Sequence, residues 1–315
     1  MNSGYKHKKI ALKVAILMGT YNAQEFLESQ LNSIAAQSFN EWTVWISDDG
    51  SRDNSLAIIT EFQNKWGAER VVLLQGPQKG FAENFMSLVC NPAIRADYYA
   101  YADQDDIWET NKLVRALALL NGKGDQLPVM YCSRTRLIDE HDRELGLSPL
   151  FTKQPSFANA LMQSLGGGNT MVFNHAARQL LLEAGRVSII SHDWWTYLVV
   201  TGCGGSVIYD AYPSVRYRQH SNNLVGTNKG WSNHMIRLRR LWRGEFKKWI
   251  DCNILALQQI KRKLNRENAQ RLHCFTMARK IWLLPRLVIL KQSGIYRQTL
   301  LGNLGLLIAA LFRKV

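Results

Sequence analysis

Three carboxylates stand within four residues at Asp103-Gln104-Asp105-Asp106. Such a cluster repels itself and costs free energy unless a cation or strong donors compensate it. A tight turn with extended flanks can aim alternate carboxylates into one cleft. Oxygen ligands of this kind suit Mg²⁺ or Mn²⁺, above all when a substrate diphosphate completes the shell. The competing reading is a solvated acidic turn. Apolar segments on both sides, Tyr98-Tyr99-Ala100-Tyr101-Ala102 and Ile107-Trp108, weigh against it. A second acidic pair stands in Asp48-Asp49-Gly50-Ser51, where a carboxylate can accept the N–H of a pyrimidine base and Gly50 eases the turn. By itself that tetrapeptide also reads as a helix entry capped by Asp or Ser.

Other chemistry-bearing residues are spread further along the chain. Asp193, read from its neighbours alone, caps the helix that holds Trp194, Trp195 and Leu198. Trp194 and Trp195 fit two roles, a platform for a sugar ring or core packing. Gly166-Gly167-Gly168-Asn169 lets backbone approach a ligand, and also makes a turn. His220 sits in a polar run, where an imidazole serves as a metal or diphosphate contact or in a structural role.

The elements that must position these groups alternate. Residues 12–20, 42–47, 71–74 and 98–102 are β-prone runs, and helical spacing recurs over 25–38, around 56–62 and near 81–90. Strands alternating with amphipathic helices predict an α/β fold with a parallel sheet covered on both faces, and ligands at the carboxyl ends of its strands. Further strands are expected near 129–133 and 170–173, and a helix near 175–185. From about Trp231 helical spacing dominates. The uncharged stretch from Leu300 to Phe312 is shorter than the roughly 20 residues that a membrane-spanning helix needs, so an interfacial or packed terminal helix is expected.

Composition bounds the rest. The 315 residues are 46% hydrophobic and 20% charged, enough for a sizeable core. Five cysteines without a CxxC pair argue against a disulfide framework and fit a reducing cytoplasm. The basic N-terminus lacks a small-residue cleavage site, so no secretory signal is expected. Charge is polarised: residues 1–228 hold 20 Lys/Arg against 22 Asp/Glu, and residues 229–315 hold 19 against 3. The last 87 residues therefore carry the entire basic excess and call for an acidic partner, nucleic acid or anionic lipid.

Three motifs together, Leu17-Met18-Gly19-Thr20-Tyr21-Asn22, Ser47-Asp48-Asp49-Gly50-Ser51-Arg52-Asp53 and Asp103-Gln104-Asp105-Asp106-Ile107-Trp108, resemble family 2 glycosyltransferases in order and spacing. The resemblance covers roughly residues 12–225. His192-Asp193-Trp194-Trp195 and Tyr217-Arg218-Gln219-His220-Ser221-Asn222-Asn223 narrow the likeness to bacterial rhamnosyltransferases of O-antigen and other surface-polysaccharide assembly. It implies the GT-A (nucleotide-diphospho-sugar transferase) fold, a Rossmann-like mixed sheet flanked by helices over 1–228. The residues 229–315 are then a helical, basic extension.

The resemblance further implies that Thr20, Tyr21 and Asn22 line the nucleotide pocket with Glu25 nearby, and that Asp49 faces the pyrimidine. Lys79, Gly80 and Asn84 close over the nucleoside. Asp103, with Gln104, contacts the ribose side, Asp105 binds a divalent cation (Mn²⁺ or Mg²⁺), and Asp106 supports the turn. Asp193 matches the catalytic base, although His192 stands where many relatives have Glu. Gly167, Gly168 and Asn169 match the loop beneath the acceptor. The implied partners are a sugar-nucleotide donor, best matched by dTDP-L-rhamnose, and a glycan or polyprenyl-diphosphate-linked acceptor. UDP-hexose or UDP-N-acetylhexosamine is the competing donor, and a non-catalytic lipid- or nucleic-acid-binding protein the competing class.

In the tail, Arg237, Arg239, Arg240, Arg243, Lys247 and Lys248 alternate with Leu238, Leu241, Trp242, Phe246 and Trp249. A basic helix of this kind suits an anionic membrane surface, and no nucleic-acid motif accompanies it. The expectation is a cytoplasmic protein held peripherally on the inner face of the cell membrane. A helical extension packed on the catalytic part, with a solvated basic face, is the alternative.

Overall fold

A computed structural model describes residues 12–124, 126–220 and 244–315. The first half is built as the alternation predicts. Strands β1 (Val14–Thr20), β2 (Trp42–Asp48), β3 (Val71–Gln75) and β4 (Tyr98–Ala102) lie parallel in the order β3-β2-β1-β4. Helices α1 (Leu27–Ala35), α2 (Ser55–Trp66) and α3 (Phe81–Val89) connect them. Beyond β4 the sheet turns mixed. β5 (Ile107–Trp108), β6 (Val129–Ile138), β8 (Val172–Asn174) and β9 (Ser206–Arg218) extend it as β4-β8-β6-β9-β5, and β7 (Glu144–Leu147) flanks β6. β8 is antiparallel to both β4 and β6, while β9 runs parallel to β6.

Why the β1 and β4 sequences read as unbroken apolar runs follows from their position. Successive strand residues point to opposite faces, and here both faces are covered. Val14, Ile16 and Met18 pack with Leu27, Leu31 and Ile34 of α1, Ile59 of α2, and Leu113 and Leu117 of α4 (Lys112–Leu120). Ala15 and Leu17 face the other way, toward Phe85 of α3 and the helices α6 (His175–Ala184) and α7 (His192–Gly202). A short helix, α5 (Phe157–Ala160), joins this second layer.

The C-terminal helices α8 (Glu245–Gln259), α9 (Arg266–Ala278), α10 (Leu283–Ser293) and α11 (Leu300–Leu311) share that second core. Ile250, Ile254 and Leu257 of α8 are buried in it, and Phe246 and Trp249 pack against it. These two aromatics are therefore turned inward, as in the packed-extension alternative. The basic run Arg237–Arg243 and the 228/229 boundary lie outside the described residues. Just before α11, Tyr296, Arg297 and Gln298 are laced to 153–163. The Asn159 amide donates to the Tyr296 carbonyl (3.1 Å), Arg297 Nη1 to the Met162 carbonyl (3.1 Å), and the Gln298 N–H to Gln163 Oε1 (3.0 Å).

The long strand β9 was not foreseen in the sequence, because Pro213 and alternating polar residues mask it. Its entry from α7 is tight: a methyl group on Gly205 would lie 2.5 Å from the Pro128 carbonyl oxygen and 2.7 Å from that of Val200. Both are backbone atoms that cannot swing aside. Gly205→Ala is expected to lower stability by about 1–3 kcal/mol, as overpacking does, read as a lower thermal midpoint. Gly305→Ala, in open space within α11, should leave the midpoint unchanged or raise it.

Candidate active site

The carboxyl ends of β1, β2 and β4 form one rim, and hydrogen bonds across it hold the two acidic motifs together. The Asp49 N–H donates to the Thr20 carbonyl (2.8 Å). One residue on, the Tyr21 N–H donates to Gln104 Oε1 (2.7 Å), and Gln104 Nε2 donates back to the Tyr21 carbonyl (3.2 Å). Asn22, at φ 48°, ties the same loop to the turn after β2, with its side-chain oxygen accepting from the Arg52 N–H (2.9 Å). The loops that carry Asp49 and Asp105 are thus tied to one another along this rim.

Within that rim the two carboxylates of the Asp48-Asp49 pair divide their labour. Asp48 is the structural one: it accepts from the N–H groups of Gly50 (3.1 Å) and Ser51 (2.9 Å) and from the Thr20 hydroxyl (3.1 Å). Asp49 accepts from the N–H groups of Gln78 (2.6 Å) and Gly80 (2.9 Å). It joins the strand end to the 78–80 loop, where Lys79 and Gly80 are exposed. Tyr21, Asn22 and Glu25 are exposed on the rim as well.

Several expected contacts are displaced inward. Thr20 is buried with its hydroxyl spent on Asp48. Asn84 is buried beneath the rim, where its amide donates to the Ser47 carbonyl (2.8 Å). Asn169 is buried too, and donates to Asp106 at 2.5 Å instead of facing an acceptor. Trp194 and Trp195 are core residues, with Trp194 Nε1 donating to the Ala160 carbonyl (2.6 Å). Their rings fill the layer between α7 and the sheet, so neither offers a sugar platform. Gly167 is exposed and Gly168 buried in the 3₁₀ turn Gly168–Thr170.

The acid turn carries strong electrostatic stress. Asp106 is fully buried and accepts from Asn169 and from the Arg218 N–H (3.1 Å). Burial, then the charges of Asp105 and Asp103, hold its carboxyl well above the usual range. Asp103 is pushed up to about 8 by burial and by Asp105 and Asp193. Asp193, in the first turn of α7, is therefore within electrostatic reach of Asp103. Asp193 accepts from the Trp194 N–H (2.7 Å) and the Ser164 hydroxyl (3.4 Å).

Four residues that matter here escaped the assignment from sequence. Lys112 is fully buried over the Trp108 ring, 3.2 Å from its centroid, and its ammonium has no hydrogen-bond partner among the described residues. Burial drives its pKa well down, while Asp106 and Asp103 pull it back up. Arg218, 2% exposed, donates to the Asp105 carbonyl (2.9 Å) and to Asp142 (2.5 Å), and lies over the Phe26 ring. Burial raises the Tyr217 hydroxyl pKa, and the charges of Asp106, Asp103, Asp105 and Asp193 add to the rise. His192, left open above, is a dry imidazole: 4% exposed, stacked on Phe85 at 3.8 Å, against the Tyr101 edge at 4.6 Å and tight beneath Gly168. A run such as Tyr217-Arg218-Gln219-His220 signals polarity, but which residue turns toward the acid turn depends on a register set 110 residues away.

The donor chemistry decides whether a divalent cation fits. His220 Nε2 lies 2.8 Å from Asp105 Oδ2, with both side chains partly open to solvent. Among the described residues no three His, Cys, Asp or Glu side chains form a complete cage. One carboxylate and one imidazole, both partly open to solvent, match a cation whose shell a diphosphate would complete, so the residues fit Mn²⁺ or Mg²⁺.

The glycosyl transferase family 2 profile matches residues 15–181. The chain belongs to glycosyltransferase family 2. Its similarity to the dTDP-rhamnosyl transferase RfbG of Shigella flexneri is 30% identity over 229 residues, 67% of this chain and 74% of that one. It is 28% identical over 107 residues, 34% of this chain and 40% of the other, to the Escherichia coli UDP-Glc:alpha-D-GlcNAc-diphosphoundecaprenol beta-1,3-glucosyltransferase WfgD. In structure it is similar to S. aureus TarS in complex with UDP-GlcNAc, with TM-score 0.56 and 14% identity over 90% of this chain and 79% of that one. The Pyrobaculum calidifontis mannosyltransferase PcManGT, solved with GDP-Man and Mn²⁺, gives TM-score 0.51 and 15% identity over 97% and 86%. The family 2 enzyme thus has the GT-A fold.

The imidazole beside Asp193 sets a pH dependence of stability. Burial lowers the His192 pKa to about 4, against 6.5 for an ordinary histidine, with only Asp193 opposing. Between those values the unfolded chain takes up a proton that the folded glycosyltransferase refuses. Its contribution is intact above pH 6.5 and falls by about 1.4 kcal/mol per pH unit toward pH 4. His192→Phe should remove that slope in denaturant melts at pH 6.5, 5.5 and 4.5.

Proposed function

We propose that this family 2 enzyme is an inverting, cation-dependent transferase that moves L-rhamnose from dTDP-L-rhamnose to an acceptor hydroxyl. The acceptor is a surface-polysaccharide glycan carried on polyprenyl diphosphate or a comparable carrier. The observation that carries the reading is that His220 lies against Asp105 on the acid turn, with the separate carboxylate Asp193 in electrostatic reach of Asp103 on the same turn. The likeness to a dTDP-rhamnosyl transferase over two thirds of the chain supports rhamnose as the sugar.

In this reading Asp49, whose carboxylate oxygens each keep a free lone pair, accepts the pyrimidine N–H. Tyr21, Asn22, Glu25, Lys79 and Gly80 border the nucleoside, and Asp103 with Gln104 lies on its ribose side. Asp105 and His220 hold the divalent cation, which supplies positive charge against the departing diphosphate. Asp193 takes the proton of the acceptor hydroxyl as its oxygen bonds the anomeric carbon and the bond to the diphosphate breaks. Attack from the face opposite the leaving group inverts that carbon. Gly167, exposed at the head of the glycine turn, lets the acceptor approach close to the backbone, while the buried Gly168 packs against His192.

Partner chemistry follows from the charge. Residues 244–315 carry 14 Lys/Arg against 3 Asp/Glu, which supports placing the protein on the anionic inner face of the cell membrane, where a lipid-linked acceptor is presented. No helix among the described residues is long and apolar enough to cross a membrane.

Nucleotide release and two single substitutions test the reading. With Mn²⁺, nucleoside diphosphate release should be fastest from dTDP-L-rhamnose, and a UDP-sugar used equally well would assign a different donor. EDTA should abolish release, and added Mn²⁺ restore it. Asp193→Asn should cut kcat about 10²–10⁴-fold with nucleotide binding retained, while Asp105→Asn weakens Mn²⁺ binding by titration. Transfer unaffected by either substitution would remove the catalytic assignment.

A further inference from the structure

The end of the chain leaves apolar surface open that sugar transfer does not use. Helix α11 reads Leu-Leu-Gly-Asn-Leu-Gly-Leu-Leu-Ile-Ala-Ala-Leu, with Asn303 its one polar side chain. A helix apolar all round is ordinarily buried on every side. Here Ala309 and Ala310 pack into the core, but Leu300, Leu304, Leu307 and Leu311 form a stripe at helical spacing that is 85%, 54%, 50% and 41% exposed. Its neighbour α10 shows Leu284 and Val288 in the same condition, with exposed Trp282 at its entry. The pair is firmly seated all the same. The buried Arg286 guanidinium donates to the carbonyls of Ala278 (3.2 Å), Ile281 (2.8 Å) and Ala310 (3.1 Å).

What covers these stripes is indicated by the charge around them. Each runs into exposed cations: Lys291 continues the Leu284–Val288 row, Arg313 follows Leu311, and Lys280 precedes Trp282. A second copy of the chain meeting this face would set like charges against each other. Anionic lipid headgroups neutralise them, and acyl chains take the leucines. A tryptophan at the edge suits the headgroup level.

We propose that α10 and α11 lie flat in the headgroup region of an anionic bilayer, leucine stripe toward the acyl chains and basic ends at the lipid phosphates. This rests on the membrane-associated reading above and names the element responsible. Phe246 and Trp249 of α8 are turned into the protein core and take no part.

Sedimentation of the full-length protein with vesicles tests it, using phosphatidylcholine alone and a mixture containing phosphatidylglycerol. Wild type should sediment with the anionic vesicles only. Leu300→Ser/Leu304→Ser/Leu307→Ser should lose at least about tenfold in partitioning, with donor hydrolysis in solution and melting midpoint unchanged. If wild type ignores anionic vesicles, the membrane reading falls and this proposal with it. Should wild type bind and the triple variant bind equally, only the assignment to α10 and α11 is overturned. A wild-type dimer in light scattering that the triple variant dissolves, without vesicle binding, would hand the stripe to a second copy.

Discussion

Negative charge held at the end of a buried strand is the constraint around which the molecule is arranged. Asp103, Asp105 and Asp106 leave β4 together, and one of them is wholly inside the protein. A buried carboxylate is tolerable only when donors and counter-charge surround it. Asn169 and the Arg218 backbone serve Asp106, while the Lys112 ammonium lies within electrostatic reach over Trp108. Gln30 fixes the Asp103 carbonyl (2.8 Å). These partners come from α1, α4, the glycine turn and β9, so satisfying one turn requires most of the fold to be in place.

Arg218 shows how that requirement becomes geometry. Its guanidinium takes the main-chain oxygen of Asp105, and two residues along His220 takes the carboxylate of the same aspartate. A planar fork serves several acceptors at fixed angles, which a lysine in its place would not do. Across the groove the same economy separates Asp48, which caps its own turn, from Asp49, which reaches the 78–80 loop. Adjacent residues of identical chemistry differ in role because a strand end points them in opposite directions.

The strands, the helices between them and the two acidic motifs were legible in the sequence, since apolar runs broken by polar strand ends are local signals. Asp105, Asp193 and His220 could be named from motifs. Side-chain direction was another matter. Trp194 and Trp195 look alike as sugar platform or core until the sheet beneath α7 is known, and both turn out to be core. Asn84, Thr20 and Asn169 carry polar side chains that face inward to hold backbone or Asp106. Lys112 and His192 are titratable groups whose burial depends on contacts with Trp108, Phe85 and Gly168, none of which a linear pattern specifies. The β9 strand was hidden for a related reason: Asp210, Ser214, Arg216 and Arg218 pair with polar partners such as Arg115, Ser133, Glu109 and Asp106.

The lacing of Tyr296, Arg297 and Gln298 onto residues 153–163 has a mechanical meaning. That stretch runs directly into the glycine turn, so hydrogen bonds tie the terminal helices to the turn that would floor the acceptor entrance in the proposed reaction. If α10 and α11 rest on a bilayer as proposed, the same hydrogen bonds would set the height above that plane at which an acceptor hydroxyl is met.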